Sequence, residues 1–171
     1  MSDASRLFDA QEPRYVIDTN VILGFLKRTD DEPWGADAFP HHWRQIEAML
    51  SDGRIVSTVS VQAELADWQG RIVGLTHWLK AFRSVFLPPS TEQLRWAKRI
   101  TNAYPVYGRS TNFEADLMVM ALSGALSAAA FCAEKPSGHG PKKPKMPYVC
   151  REHGIDFVTV SDFFRREPVA T

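Results

Sequence analysis

Along the chain, short apolar runs that stop at polar or turn-forming residues alternate with stretches whose apolar positions recur at helical spacing. Tyr15-Val16-Ile17 stops at Asp18, and Val21-Ile22-Leu23 resumes the apolar pattern at once. This predicts a buried strand over 15–17 and a helix over about 21–27. A polar lead-in occupies 1–13, and 29–35 is an acidic, turn-rich link. Trp43, Ile46, Met49 and Leu50 mark a helix within 42–50. Gly53 ends it, 54–57 reads as a second strand, and helices follow over 59–68 and 75–82. Pro88-Pro89 breaks the chain, after which Ser90 or Thr91 caps a helix reaching about Tyr104. A helix over about 112–126 precedes a strand at 128–132, although the alanine-rich stretch there also suits a continued helix. A Pro/Gly/Lys-rich loop spans 135–147. A short helix at 149–153, a strand at 157–160 and a closing turn at 162–166 complete the chain. Strands alternating with helices predict an α/β fold with a mainly parallel central sheet, in one domain spanning 14–166.

Composition narrows the class without naming a chemistry. The 171 residues suffice for one domain with a sizeable core. No apolar run approaches the roughly 20 residues that span a bilayer, and the amino terminus lacks the basic-then-apolar order of a secretory signal. With only Cys132 and Cys150, a disulfide framework is not expected, and a reducing cytoplasm is the expected compartment. Lys+Arg (20) and Asp+Glu (20) cancel, so binding to a polyanion would have to come from local clustering.

The acids sort by whether local structure already employs them. Asp18 ends the first strand, and the carboxyl ends of strands are where open α/β sheets hold ligands. Glu64 lies one or two turns into the helix after the second strand. A capping box would need Ser or Thr at position 61, which is Val. Thr111-Asn112-Phe113-Glu114 does match a capping box, giving Glu114 a structural role. Asp116 then stands alone at the head of the apolar run 117–122, where a carboxylate is costly without compensation. Glu134 follows the predicted strand at 128–132 as Asp18 follows the first. Two carboxylates 4–5 Å apart repel by roughly 3–4 kcal/mol at an effective dielectric near 20. Such a cluster is tolerable when protons are shared or divalent cations fill it.

Ile17-Asp18-Thr19-Asn20, Glu64 in a Val-x-x-Glu-Leu context, and Ala115-Asp116-x-x-x-x-Ala121 resemble the signature of the PIN-domain family. The resemblance runs from about Tyr15 to Phe164. It implies a three-layer α/β/α PIN-like domain and a Mg²⁺- or Mn²⁺-dependent ribonuclease, as in the VapC-type toxins of toxin–antitoxin pairs. It also implies that Asp18, Glu64 and Asp116 bind the metal, with Asn20 and Thr19 in support. The family's fourth acid sits in a Val-Thr-x-Asp context. Here Phe131-Cys132-Ala133-Glu134 places Glu134 there, with Cys in place of Thr. The stretches 38–43 and 145–150 resemble a less characterised PIN-like branch. An RNA substrate, an antitoxin partner and a homodimer are implied, with no membrane association.

Substrate contacts are less legible. Lys135, Lys142, Lys143 and Lys145 concentrate charge beside Glu134, in a loop suited either to a phosphate backbone or simply to solvent. Arg95, Lys98 and Arg99 read as an exposed helix face, and the five tryptophans as core or interface more than base-stacking surfaces. His139, Cys150, His153 and Cys132 lack the paired spacing of a zinc site. A phosphatase of the haloacid dehalogenase type would require an acid where Asn20 stands. The alternative to a nuclease is a PIN-like RNA- or partner-binding protein of weak or no catalysis, a reading favoured by the altered surroundings of Glu134.

Overall fold

The structure is a computed structural model that describes residues 11–27, 33–133 and 144–170. Five strands, β1 (Tyr15–Ile17), β2 (Ile55–Thr58), β3 (Phe86–Leu87), β4 (Ala129–Phe131) and β5 (Phe157–Val158), form one sheet in the order β3-β2-β1-β4-β5. Every neighbouring pair is parallel. The register sets Tyr15 beside both Ile55 and Ala129, and Ile17 beside Phe131. All three residues of β1 are buried, as expected of a strand covered on both faces. Eight helices complete the described chain: α1 (Thr19–Leu26), α2 (Pro40–Ser51), α3 (Val59–Ala66), α4 (Leu75–Ala81), α5 (Thr91–Ala103), α6 (Glu114–Leu126), α7 (Met146–Glu152) and α8 (Val160–Arg166). They flank the sheet in the three-layer α/β/α arrangement expected from the sequence.

The helices follow from local chemistry as much as from packing. Thr58 caps α3 by accepting the Val61 N–H, and Ser90 caps α5 by accepting that of Gln93. Residues 117–122 of α6 are buried all round, because this helix lies across β1, β2 and β4. It ends at Leu126, with Ser127 in the left-handed conformation, so the alanine-rich stretch does turn into a strand.

Three expectations need correction. The closing turn at 162–166 is the helix α8, started by a reciprocal capping box between Thr159 and Asp162. Its Phe163 stacks on Phe131 at 4.4 Å between ring centroids and meets Tyr15 edge-on at 4.9 Å. Helix α7 begins at Met146, three residues earlier than expected, with Pro147 in its first turn. Strand β3 was not predicted: two residues carry no readable period, and only pairing with Ser57 and Thr58 defines it. Most of the loop expected at 135–147, with Lys135, His139, Lys142 and Lys143, lies outside the described residues.

Because Phe163 is fully buried and joins α8 to the two central strands, Phe163→Ala should destabilise the fold by about 3–5 kcal/mol. Urea denaturation followed by circular dichroism would measure the loss.

Candidate active site at the carboxyl edge of the sheet

A parallel sheet brings all its strand ends to one edge. The chain leaves β1, builds β2 and β3 outward on one side, and returns to place β4 on the other side of β1. The reversal of strand order falls between β1 and β4, the place where such sheets open a crevice for ligands. Asp18 stands there. Its backbone N–H donates to the Phe131 carbonyl at 2.9 Å, and the residue is only 2% exposed. Asp18 is also the cap residue of α1, although its side chain makes no capping bond to that helix.

The next residue links this position to a second helix. Thr19 is buried, and its hydroxyl donates to Glu64 Oε2 at 2.9 Å. Glu64 lies on α3, which packs against both α1 and α6. Although Glu64 as a residue is solvent-exposed, its carboxyl tip is drawn in against Thr19. Partial desolvation therefore raises its pKa above the usual carboxylate range. The Thr19 hydrogen bond opposes the rise, and repulsion from Asp116 and Asp67 adds to it. The structure thus sets Thr19 of α1 against Glu64 of α3, with Asp116 of α6 near enough to Glu64 to repel it.

An open cleft of about 460 Å³ lies beside Glu64, and Asp18, Thr19 and Asp116 are not among the residues that line it. Glu64, Asp67, Glu114, Ser60, Thr111 and Asn112 contribute to its walls. Asp67 and Glu114 were not expected in the site. Asp67 was legible in principle, since three residues after Glu64 is the same helix face. Glu114 was assigned to a capping box that does not form. Instead, Ser110 accepts the Asn112 N–H over a short 3₁₀ turn (Thr111–Phe113), Phe113 takes the cap position of α6 without a side-chain bond, and Glu114 is left on the cleft wall. Asn20 is exposed at the second position of α1. Glu134 lies outside the described residues.

The donors here are oxygen atoms of carboxylates, hydroxyls and an amide, the set preferred by Mg²⁺ and Mn²⁺ over softer metals. A cation would also relieve the repulsion that Asp116 and Asp67 exert on Glu64. Among the described residues, no three His, Cys, Asp or Glu side chains gather closely enough to hold a metal by themselves. Mg²⁺ does not require that: one or two carboxylates, several waters and a substrate phosphate commonly suffice. Cys132 and Cys150 are both buried, and His139 lies outside the described residues.

Fold and cleft define a class: a three-layer parallel α/β protein with an acid-walled crevice at the carboxyl edge of its sheet. The chain belongs to the family described as "Domain of unknown function (DUF4411)", whose model matches residues 15–171. No curated protein matches it. Among solved structures, it is similar to a chain in the crystal structure of VapBC2 from Rickettsia felis bound to a DNA fragment from their promoter. That likeness has a TM-score of 0.49 and 14% identity, covering 85% of this chain and 97% of the other. No helix among the described residues is long and apolar enough to cross a membrane.

The electrostatics of Glu64 can be read directly. Removing its hydrogen bond in Thr19→Val should raise the Glu64 pKa further, and removing a repelling charge in Asp116→Asn should lower it. Carboxyl-carbon NMR titration would follow both. A carboxyl whose pKa is higher folded than unfolded contributes stability that is fully present below its unfolded value, near 4.5. That contribution is lost as pH rises through the raised folded value. Glu64→Gln should therefore flatten this part of the stability–pH profile, and its urea midpoint at neutral pH should not fall.

Proposed function

We propose that this chain is a Mg²⁺- or Mn²⁺-dependent endoribonuclease of the PIN type, acting as the toxin of a toxin–antitoxin pair. The observation that carries this reading is Glu64 at the carboxyl edge. It is hydrogen-bonded by Thr19 from the Asp18-Thr19-Asn20 turn and repelled by Asp116 from the start of α6. Three stretches far apart in sequence, each resembling a PIN motif, thus supply neighbouring groups. The RNA substrate, antitoxin and homodimer are carried by the resemblance and are part of the proposal.

In this reading Asp18, Glu64 and Asp116 hold the ion, and Glu134 completes the set. Bound there, the ion would lower the pKa of a water for attack on phosphorus and neutralise charge on the phosphodiester. Thr19 orients Glu64 by fixing one of its carboxylate oxygens toward α1. Asp18 is rigidly placed, because its backbone is part of the β1–β4 ladder and its surroundings exclude solvent. Asn20, exposed at the start of α1, supplies a neutral hydrogen-bonding group, which adds no further repulsion. Asp67 and Glu114 make the wall acidic, and this would disfavour a polyanion unless cations accompany it.

Asp18→Asn, Glu64→Gln and Asp116→Asn should each lower Mn²⁺-dependent cleavage of single-stranded RNA about 100-fold or more, with unchanged circular dichroism. Excess EDTA should abolish cleavage by the parent. Full activity in any of these variants, or in EDTA, would sink the proposal.

A second reading, a PIN-like protein that binds RNA or a partner with little catalysis, is favoured by the lack of a preformed three-ligand group among the described residues. Titration with Mn²⁺ by calorimetry separates the two. A nuclease should show saturable binding that Asp116→Asn weakens, and a binding module should show none at millimolar metal.

A further inference from the structure

An acid-walled cleft does not hold a polyanion by itself, so cations must stand near it if the chain acts on RNA. The structure supplies them around α4, with Lys80 in its last turn and Arg83 in the short 3₁₀ turn that follows. Between Asp67 and Glu92 the sequence contains no acidic residue, while it carries Arg71, Lys80 and Arg83. In a chain of zero formal net charge this is a local excess of positive charge. Lys80 and Arg83 are both exposed, and both line a second open groove, of about 480 Å³, between α3 and α4. Its walls on the α3 side include Gln62, Ala63 and Ala66, with Leu79 beneath from α4. Ala63 also lines the acid cleft, so the two depressions meet across one small side chain beside Glu64.

From this continuity, and resting on the nuclease reading above, we infer that the α3–α4 groove is the path of the single-stranded RNA leaving the acid cleft. Lys80 and Arg83 pair with its phosphates. The small residues Ala63 and Ala66 let a strand lie close to α3, and the largely apolar floor suits base faces, which are tolerant of sequence. Gln62 offers neutral hydrogen bonds to sugar or base edges. The division of labour is physical: acids where a cation and the scissile phosphate meet, cations one step away where the flanking phosphates run. No acidic side chain lines this groove among the described residues.

The test uses a fluorescein-labelled mixed-sequence 12-mer of single-stranded RNA, with full-length protein carrying Asp116→Asn to prevent cleavage. Anisotropy titrations at several salt concentrations give affinity and its salt slope. Adding Lys80→Gln and Arg83→Gln should weaken binding about tenfold at moderate salt and reduce the slope by about 1.4, the value for two phosphate contacts on a single strand. Adding Arg95→Gln and Lys98→Gln on α5 instead should change neither. Unaltered affinity and slope in the Lys80/Arg83 variant, with its thermal midpoint intact, would overturn the inference. If the parent still cleaves RNA in that case, only the groove assignment falls. A parent that neither binds nor cleaves the RNA would remove the nuclease reading as well.

Discussion

The pairing of β1 with a neighbour on each side is the constraint on which the carboxyl edge depends. Tyr15 and Val16 are in register with Ile55 and Val56 on one flank, and Tyr15 through Ile17 with Ala129 through Phe131 on the other. The ladder continues one residue further, through the Asp18 N–H to the Phe131 carbonyl. A shift of one residue would exchange the two faces of the strand and remove Asp18 from the crevice. With both neighbours parallel and both faces covered, that shift has no low-energy alternative. The same sheet order that buries β1 at the centre creates the crevice beside it.

Docking of the chain's last described helix on the sheet relies on aromatic packing and a small polar network. Phe163 stacks on Phe131 and meets Tyr15, while the Tyr15 hydroxyl donates to Glu167 at 3.0 Å. Burial pushes the Tyr15 phenol up to about 12, and the negative Glu167 beside it acts in the same direction. Tyr15 therefore keeps its proton, and its role as donor, at neutral pH. Arg166 pairs with Asp156 across the turn before β5, and this pairing holds the Asp156 carboxyl below its usual range. These contacts fix β5 against β4 and so brace the side of the crevice away from α3.

The candidate site works against stability in one identifiable place. Glu64 is partly desolvated and faces two like charges, so its ionised form is disfavoured in the folded chain. Nothing in the capping of α3 calls for it, because Thr58 already performs that task. A carboxylate disfavoured in this way on the wall of a cleft is the feature from which the nuclease proposal starts. Asp162 is the contrast, an acid whose pKa is lowered by the hydrogen bonds of the α8 cap.

The sequence by itself determined the alternation of strands and helices, the placement of Asp18 at the end of β1, and the candidacy of Glu64 and Asp116. These are local matters: apolar period, breakers and caps act within a few residues, and a sequence displays them directly. Only the tertiary structure decided what depends on distant partners. Two-residue β3 exists because Ser57 and Thr58 are beside it, and the place of α8 against the sheet is set by Phe163 meeting Phe131 and Tyr15. Glu114 had a plausible local role that the backbone declined when Ser110 capped a 3₁₀ turn first, leaving the acid on the cleft wall. The hydroxyl of Thr19 reaches Glu64 across 45 positions of sequence. No window of residues contains that contact; packing of α3 against α1 creates it.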